Sequence, residues 1–420
     1  MAGGAARLFR SGKVGRNVRK RRKNTAQPIM TRHPSPPAAL VVTRNLPPLI
    51  GGMERLVWHI VDALRADYRV HVIGPAGCGL QVPPKVTATG IPARPLWWFL
   101  ARTQWATIRR ALQLHPGLVF AGSGLTAPFA WLAARLAGAH CVVYLHGLDI
   151  EADHPLYRLL WRPFLRRCDR VFVNSRFSRG LAVKIGIDPA RITILPPGVE
   201  PPDLTDAETR RRDFRAEHQL DDAPLMLYVG RITARKGLSV FVRSILPAVL
   251  SHIPNAKLVV IGDEPTQALK HRSGEKRRVF GSLQENRLGN RVLFLDHVGD
   301  SELSAAYFAA DLLLFPVQDL PGDHEGFGMV AIEAAAHGLP TVAFAAGGVP
   351  DAVADGRSGR LIAPGDNRAF TEAVIDCLRR DDAEKRLAAR RARQFAEDFS
   401  WTHFNDRFRT ALAKYESHQR

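Results

Sequence analysis

Short apolar runs, each stopping at a glycine or a polar loop, recur along this chain and constrain its fold more than any other feature. Ala38–Thr43, Tyr68–Ile73, Leu118–Ala121, Cys141–Leu145, Val171–Val173 and Ile192–Leu195 form a first set. Leu225–Val229, Lys257–Ile261, Val292–Leu295, Leu312–Phe315 and Thr341–Phe344 form a second. Runs this short and this continuously apolar read as strands buried on both faces. Between them lie segments that read as helices, among them Met53–Leu64, Pro128–Leu136 and Leu238–Leu250. Strands alternating with helices predict parallel sheets covered on both sides, here in two successive α/β units. Residues 199–222, dense in charge and opening on Pro201-Pro202, read as a linker and surface helix between them.

The chain has 420 residues, 46% of them apolar and 24% charged, which is the composition of a soluble globular protein with ample core. No apolar run is long enough to span a bilayer. The formal charge of +19 is uneven. Residues 1–30 hold nine Arg or Lys and no acid, leaving the body at about +10. That tail lacks the apolar core of a secretory signal and is too polar to fold, so it is expected to be disordered. Three readings compete for it: an arm drawn to anionic lipid or nucleic acid, an Arg-rich transit-like segment, or a stretch dispensable because Met30 offers a second start. Cys78, Cys141, Cys168 and Cys377 are scattered without a C-x-x-C pair, which suggests buried thiols in a reducing cytosol.

In doubly wound sheets ligands sit at the carboxyl ends of strands. Gly51-Gly52, His146, Asn174-Ser175, Gly230-Arg231, Gly262-Asp263 and Glu325 all fall there, so a cleft between the two units is the natural site. The run Glu325-Gly326-Phe327-Gly328-Met329-Val330-Ala331-Ile332-Glu333 places two carboxylates across a helix start expected near Gly328. Their separation of roughly 12 Å along a helix matches the length of a nucleoside-diphosphate sugar. Glu325 then holds sugar hydroxyls and Glu333 a ribose; the plainer alternative has Glu325 complementing the helix dipole and Glu333 facing solvent. Arg231 and Lys236, in a loop after a strand, can converge on a diphosphate, or simply be solvated. Gly51-Gly52 allows close approach of a phosphate to backbone N–H groups, or is a plain tight turn. His146 lies on a loop beside Gly147, where functional side chains concentrate. Asp149, Glu151 and Asp153 alternate after it, and read as solvated surface in preference to a metal site.

Taken in order, these segments resemble the family-4 retaining glycosyltransferases of the GT-B fold. The matching pieces are Pro47-Pro48 with Gly51-Gly52, His146-Gly147, Asn174-Ser175 and Pro197-Gly198-Val199. They continue through Gly230-Arg231 with Lys236-Gly237, Glu325 to Glu333, Ala334 to Pro340, and Gly347-Gly348-Val349-Pro350-Asp351. The order and intervals match from about residue 38 to 400. The resemblance implies two doubly wound Rossmann-like domains facing across a cleft. It implies an acceptor domain over 31–199, a donor domain over 200–398, and a helix over 399–420 crossing back to the first. Arg231 and Lys236 would bind the donor diphosphate with Gly230 beside them, and Glu333 the ribose. Glu325 and the backbone of Phe327 and Gly328 would hold the donor sugar, His146 would sit near it, and Gly51 and Gly52 would close over the phosphates. No metal and no cofactor are called for. One departure is Asp351, where the family more often has Glu.

The implied activity is retaining transfer from a UDP- or GDP-sugar to a hydroxyl of a glycan or lipid-linked acceptor, in lipopolysaccharide or surface polysaccharide synthesis. The expected location is the cytoplasm, with peripheral contact to the inner face of the plasma membrane through the tail. The Trp97-Trp98-Phe99 cluster is either a second anchor or core. A GT-B epimerase or phosphorylase is the rival enzyme. A nucleic-acid-binding protein is the rival suggested by charge, but the basic residues concentrate in the tail and no recognition module appears, so no nucleic-acid partner is expected.

Overall fold

Both sets of apolar runs form parallel sheets. A computed structural model describes residues 36–152, 154–264 and 274–417. The first sheet contains β1 (Ala38–Val42), β2 (Arg69–Pro75), β3 (Thr87–Ile91), β4 (Leu118–Ala121), β5 (His140–Leu145), β6 (Arg170–Val173) and β7 (Ile192–Ile194), in the order β3-β2-β1-β4-β5-β6-β7. The second contains β8 (Leu225–Val229), β9 (Lys257–Ile261), β10 (Val292–Leu295), β11 (Leu312–Phe315), β12 (Thr341–Phe344) and β13 (Gly359–Ile362), in the order β10-β9-β8-β11-β12-β13. Each strand pairs in parallel with its neighbours. The order reverses between β1 and β4 in one sheet and between β8 and β11 in the other, which opens a crevice at their carboxyl ends. Two Rossmann-like units facing across a cleft make this a GT-B architecture.

The central strands are fully buried, as their unbroken apolar sequence requires. Strands β3 and β13 escaped the sequence reading. Both are edge strands with a glycine and only one well-buried residue, so neither carries a continuous apolar signal. The helical run expected over Leu238–Leu250 is present, but contains a π-turn at Phe241–Ile245 just before Pro247, whose missing N–H cannot continue an α-helical ladder.

Helices α1 (Gly52–Leu64), α2 (Leu96–Leu114), α3 (Ala127–Ala137), α4 (Leu148–Glu151), α5 (Pro155–Leu160), α6 (Arg162–Arg167) and α7 (Arg176–Lys184) belong to the first half. Residues of α2, α3, α6 and α7 fill one face of the first sheet. The other face is filled by α1 and by the helix Trp401–Ser417, whose Phe408 packs on Phe120 and Phe172. The two chain crossings between the halves run side by side, with Val199 N–H donating to Phe399 O at 2.6 Å. A side chain at Gly198 would meet the Trp401 ring at 2.6 Å, so glycine is required where that ring docks.

The charged stretch before β8 is more than a solvated linker. Its helix Ala207–Glu217 buries Phe214 and Arg215, and Arg211 and Arg215 both reach Asp311. All four cysteines are buried thiols, and Cys141 and Cys168 lie 3.6 Å apart. Phe99 is core, whereas its neighbours Trp97 and Trp98 are exposed. No helix among the described residues is long and apolar enough to cross a membrane. The basic stretch 1–30 and Asp153 lie outside the described residues.

Candidate functional site

Strand β8 ends at Gly230, whose φ of 142° is open to glycine and strained for other residues. The neighbouring strand end, Gly262, approaches so closely that a side chain there would meet Gly230 O at 2.3 Å. A single 3₁₀ turn, Ala234–Lys236, follows and turns Arg235 and Lys236 inward. Both cations converge on one carboxylate oxygen: Lys236 Nζ lies 2.8 Å from Glu325 Oε2, and Arg235 Nη1 donates to the same atom. Arg235 Nε is also 3.2 Å from Asp323, and Lys236 Nζ sits 4.8 Å above the Phe315 ring.

Sequence spacing paired Lys236 with Arg231. In the structure it is Arg235 that meets Lys236, on Glu325, while Arg231 is exposed. Burial alone would raise the Glu325 carboxyl, but Arg235 and then Lys236 outweigh it and hold it at about 2. Burial is also the largest influence on Lys236 and lowers it, with Arg235 and Arg231 pushing the same way against Glu325. Two cations thus share one carboxylate oxygen, and an anion arriving beside Lys236 would relieve its deficit. Glu325 is neither a dipole complement nor a surface acid.

Glu333 lies on the following helix, Met329–His337, whose N-cap is Gly328. It is mostly buried, in contrast to the solvent-facing alternative. Arg55 Nη1 donates to one oxygen at 3.0 Å and Tyr307 OH to the other at 3.0 Å. Neither partner was visible in the sequence, since Arg55 comes from α1 and Tyr307 from the helix Asp300–Ala309. Phe327 is core, so only its backbone is available to a ligand. A side chain at Gly328 would strike the Phe315 ring at 2.7 Å, and one at Gly52 would strike Met329 Sδ at 2.6 Å. The Gly51-Gly52 turn therefore abuts the start of the Glu333 helix.

From the first sheet, His146 follows β5. A carbonyl can only accept, so His146 Nε2 donates to Gly122 O at 2.9 Å, which leaves Nδ1 as acceptor in the neutral ring. Asn174 Nδ2 donates to His146 O at 3.1 Å. Across the cleft, Gly326 packs directly on that carbonyl: a Cβ there would lie 2.2 Å from His146 O. A Cβ on Gly348 would lie 2.0 Å from Gly326 O, and Gly348 N–H donates to Glu325 O at 2.7 Å. The Gly347-Gly348 turn thus supports Glu325 from the next strand, while Asp351 pairs with Arg176 of α7.

Of the alternating acids, Asp149 and Glu151 are engaged and not solvated surface. Asp149 accepts from the backbone N–H of Gly124, His146 and Gly147, and Glu151 pairs with His324. No cluster of potential metal ligands occurs among the described residues.

Residues 50–202 match the family model described as Glycosyltransferase Family 4, and residues 223–380 that of Glycosyl transferases group 1. A GDP-mannose-dependent alpha-(1-6)-phosphatidylinositol monomannoside mannosyltransferase of Mycolicibacterium smegmatis is 28% identical, over 83% of this chain and 90% of that one. A D-inositol 3-phosphate glycosyltransferase of Mycobacteroides abscessus is 31% identical, over 75% of this chain and 71% of that one. Anabaena Alr3699/HepE, solved in complex with UDP, superposes with a TM-score of 0.72 at 20% identity, covering 90% of this chain and 100% of that one. The ordered motifs, the two sheets and these matches agree: the chain is an enzyme that belongs to the family-4 glycosyltransferases of the GT-B fold.

Proposed function

We propose that this enzyme moves a sugar, with retention of configuration, from a UDP- or GDP-sugar to a hydroxyl of a glycan or lipid-linked acceptor in lipopolysaccharide or other surface polysaccharide synthesis. The observation that carries the reading is the buried carboxylate Glu325 held between Arg235 and Lys236, one helix start away from Glu333. In this reading residues 200–398 hold the donor, residues 31–199 hold the acceptor, and 399–420 cross back to the first domain.

The donor diphosphate lies against Arg231, Lys236 and Gly230, with Arg235 holding Glu325 in place. Glu333 takes the ribose hydroxyls in exchange for Arg55. Glu325 and the backbone at Phe327 and Gly328 hold the sugar, Gly51 and Gly52 cover the phosphates, and His146 lies on its other side. As the bond from the anomeric carbon to the diphosphate breaks, negative charge grows on the leaving oxygen, where fixed cations stabilise it most. The acceptor oxygen bonds to the same face of that carbon, and its proton passes to the departing diphosphate. A lipid-linked acceptor places the enzyme in the cytoplasm at the inner face of the plasma membrane.

Support for the donor class comes from the relative named for GDP-mannose and the structural neighbour holding UDP. The test is a panel of UDP- and GDP-sugars, read by thermal stabilisation and by transfer to lipid-linked and soluble acceptors. Stabilisation by one donor with transfer to an acceptor supports the reading. A donor converted to its epimer, or cleaved by free phosphate with no acceptor product, would assign the rival chemistry.

A further inference from the structure

Helix α2 has two faces that a water-exposed helix ordinarily does not combine. One buries Phe99, Thr103, Ala106, Thr107 and Ala111 against the first sheet. The opposite stripe, at the same helical spacing, is Trp98, Arg102, Trp105, Arg109 and Leu112. Trp97 is 67% exposed and Trp105 63% exposed. The Arg102 guanidinium lies 5.6 Å from the Trp98 ring centre, and that of Arg109 5.2 Å from Trp105. Exposed rings on successive turns, joined by Leu112, make a contiguous apolar patch of the kind that marks an interaction surface, and the arginines over them add positive charge to it.

The surface continues beyond α2. Helix α3 packs beside it, α6 beside α3, and α5 beside α6. Leu132 and Leu136 of α3 are exposed. Helix α5 buries none of its residues, and its Leu159 is 72% exposed. Arg135 and Arg167 flank the Trp131 ring between α3 and α6. The charge is of one sign: from Tyr68 to Leu148, and again from Pro155 to Cys168, the chain has no Asp or Glu. Four neighbouring helices thus present Trp, Leu and Arg with no carboxylate of their own.

We infer that the face formed by α2, α3, α5 and α6 docks on an anionic lipid bilayer, with Trp97, Trp98 and Trp105 in the headgroup layer and the arginines on lipid phosphates. Tryptophan prefers that layer because one edge is polar and the body is apolar. Arginine can bind phosphate while resting on a ring, and the missing acids remove the repulsion an anionic surface would otherwise meet. The inference rests on the proposed lipid-linked acceptor only for why a membrane should be present; the surface itself is independent of the chemistry.

The test uses the full chain and vesicles of phosphatidylcholine with or without phosphatidylglycerol, some carrying brominated acyl chains that quench tryptophan. The residues before Arg32 contain no tryptophan, so quenching does not come from the basic tail, and its loss in an α2 triple variant assigns it to the helical face. Wild type is expected to sediment with phosphatidylglycerol vesicles and to be quenched by brominated lipid. W97S/W98S/W105S should lose at least about tenfold in vesicle affinity while keeping its melting temperature and donor binding. R102Q/R109Q should bind more weakly and with less dependence on salt. Several results would overturn the inference: no quenching of wild type, unchanged affinity of the triple variant, or equal binding to vesicles lacking phosphatidylglycerol. So would a self-association that the triple variant dissolves without any vesicle binding, which would assign the face to a second copy of the chain. Donor binding without vesicle binding would sink this inference and leave the proposed chemistry intact; vesicle binding without transfer would do the reverse.

Discussion

The strand ends of the two halves face each other but are built from different materials. In the second half, Arg235, Lys236, Glu325 and Asp323 form an ion-pair network, with Arg235 and Lys236 buried and Glu325 mostly so. In the first half, the corresponding loops are held by glycine, backbone carbonyls, Asn174, Ser175 and Ser178, and one histidine. Among that half's acids, Asp149 is consumed by three backbone N–H groups, buried Glu54 accepts from the Asn45 amide, and Glu151 pairs with His324. Fixed charge suits a diphosphate that arrives charged and departs more so. Oriented dipoles suit a neutral hydroxyl that must stay mobile until it reacts. In the proposed reading, the division of labour between donor and acceptor follows the kind of polar group at each half's strand ends.

The comparison breaks most visibly at Arg235. Arg235→Ala leaves Glu325 with Lys236 alone and should cost about 3–5 kcal/mol of stability, since the charge-assisted hydrogen bonds to Glu325 and Asp323 go together. The readout is denaturant unfolding, alongside His146→Ala, which removes a neutral partner of one carbonyl and should cost about 1–3 kcal/mol. Equal losses would erase the contrast between the halves.

Acid should find the same difference. A carboxyl held below its unfolded value contributes stability that is present above the unfolded pKa and lost as pH falls through the folded one. For Glu325, held at about 2 against an ordinary 4.5, the unfolded chain binds more protons across that window. Stability should therefore drop by roughly 3 kcal/mol between those values. Glu325→Gln should flatten that segment of the stability curve while lowering stability at neutral pH. A wild-type curve already flat below pH 4.5 would show that the carboxylate is not stabilised by its partners.

Glu333→Ala removes charge-assisted hydrogen bonds worth roughly 1.5–3 kcal/mol each, and should weaken donor binding measured by calorimetry. Unchanged affinity and turnover would move the ribose elsewhere. Arg55→Ala is the smallest case. Its half-exposed pair with Glu333 should contribute under about 1 kcal/mol to stability. Because Arg55 occupies the carboxylate proposed to take the ribose, donor affinity should stay level or rise; a tenfold fall would make Arg55 a donor ligand.

How much of this was legible follows the same physics. Buried central strands such as Leu225–Val229 announce themselves, because burial on both faces demands an unbroken apolar run. Edge strands β3 and β13 do not, since half of each is wet. Glu325, Glu333 and Lys236 could be singled out by their place after a strand or at a helix start. Their partners could not: Arg235 depends on a 3₁₀ turn, and Arg55 and Tyr307 arrive from elements far apart in sequence. Sequence also treated Arg231 and Lys236 alike, as two cations of one loop free to meet a diphosphate or solvent. Burial separates them, and only Arg231 is left exposed.

That separation makes Arg231 the cleanest probe of the central claim, that the second half is a charged cradle for a nucleoside diphosphate. The measurement is calorimetric titration of UDP and GDP into wild type and Arg231→Ala, with melting temperatures recorded for both. Wild type should bind one of the two nucleotides, and Arg231→Ala should lose about tenfold or more in affinity for it. Its melting temperature should stay within about 2 °C, because an exposed guanidinium contributes little to folding. Binding of neither nucleotide by wild type, or equal affinity in the variant, would contradict the account.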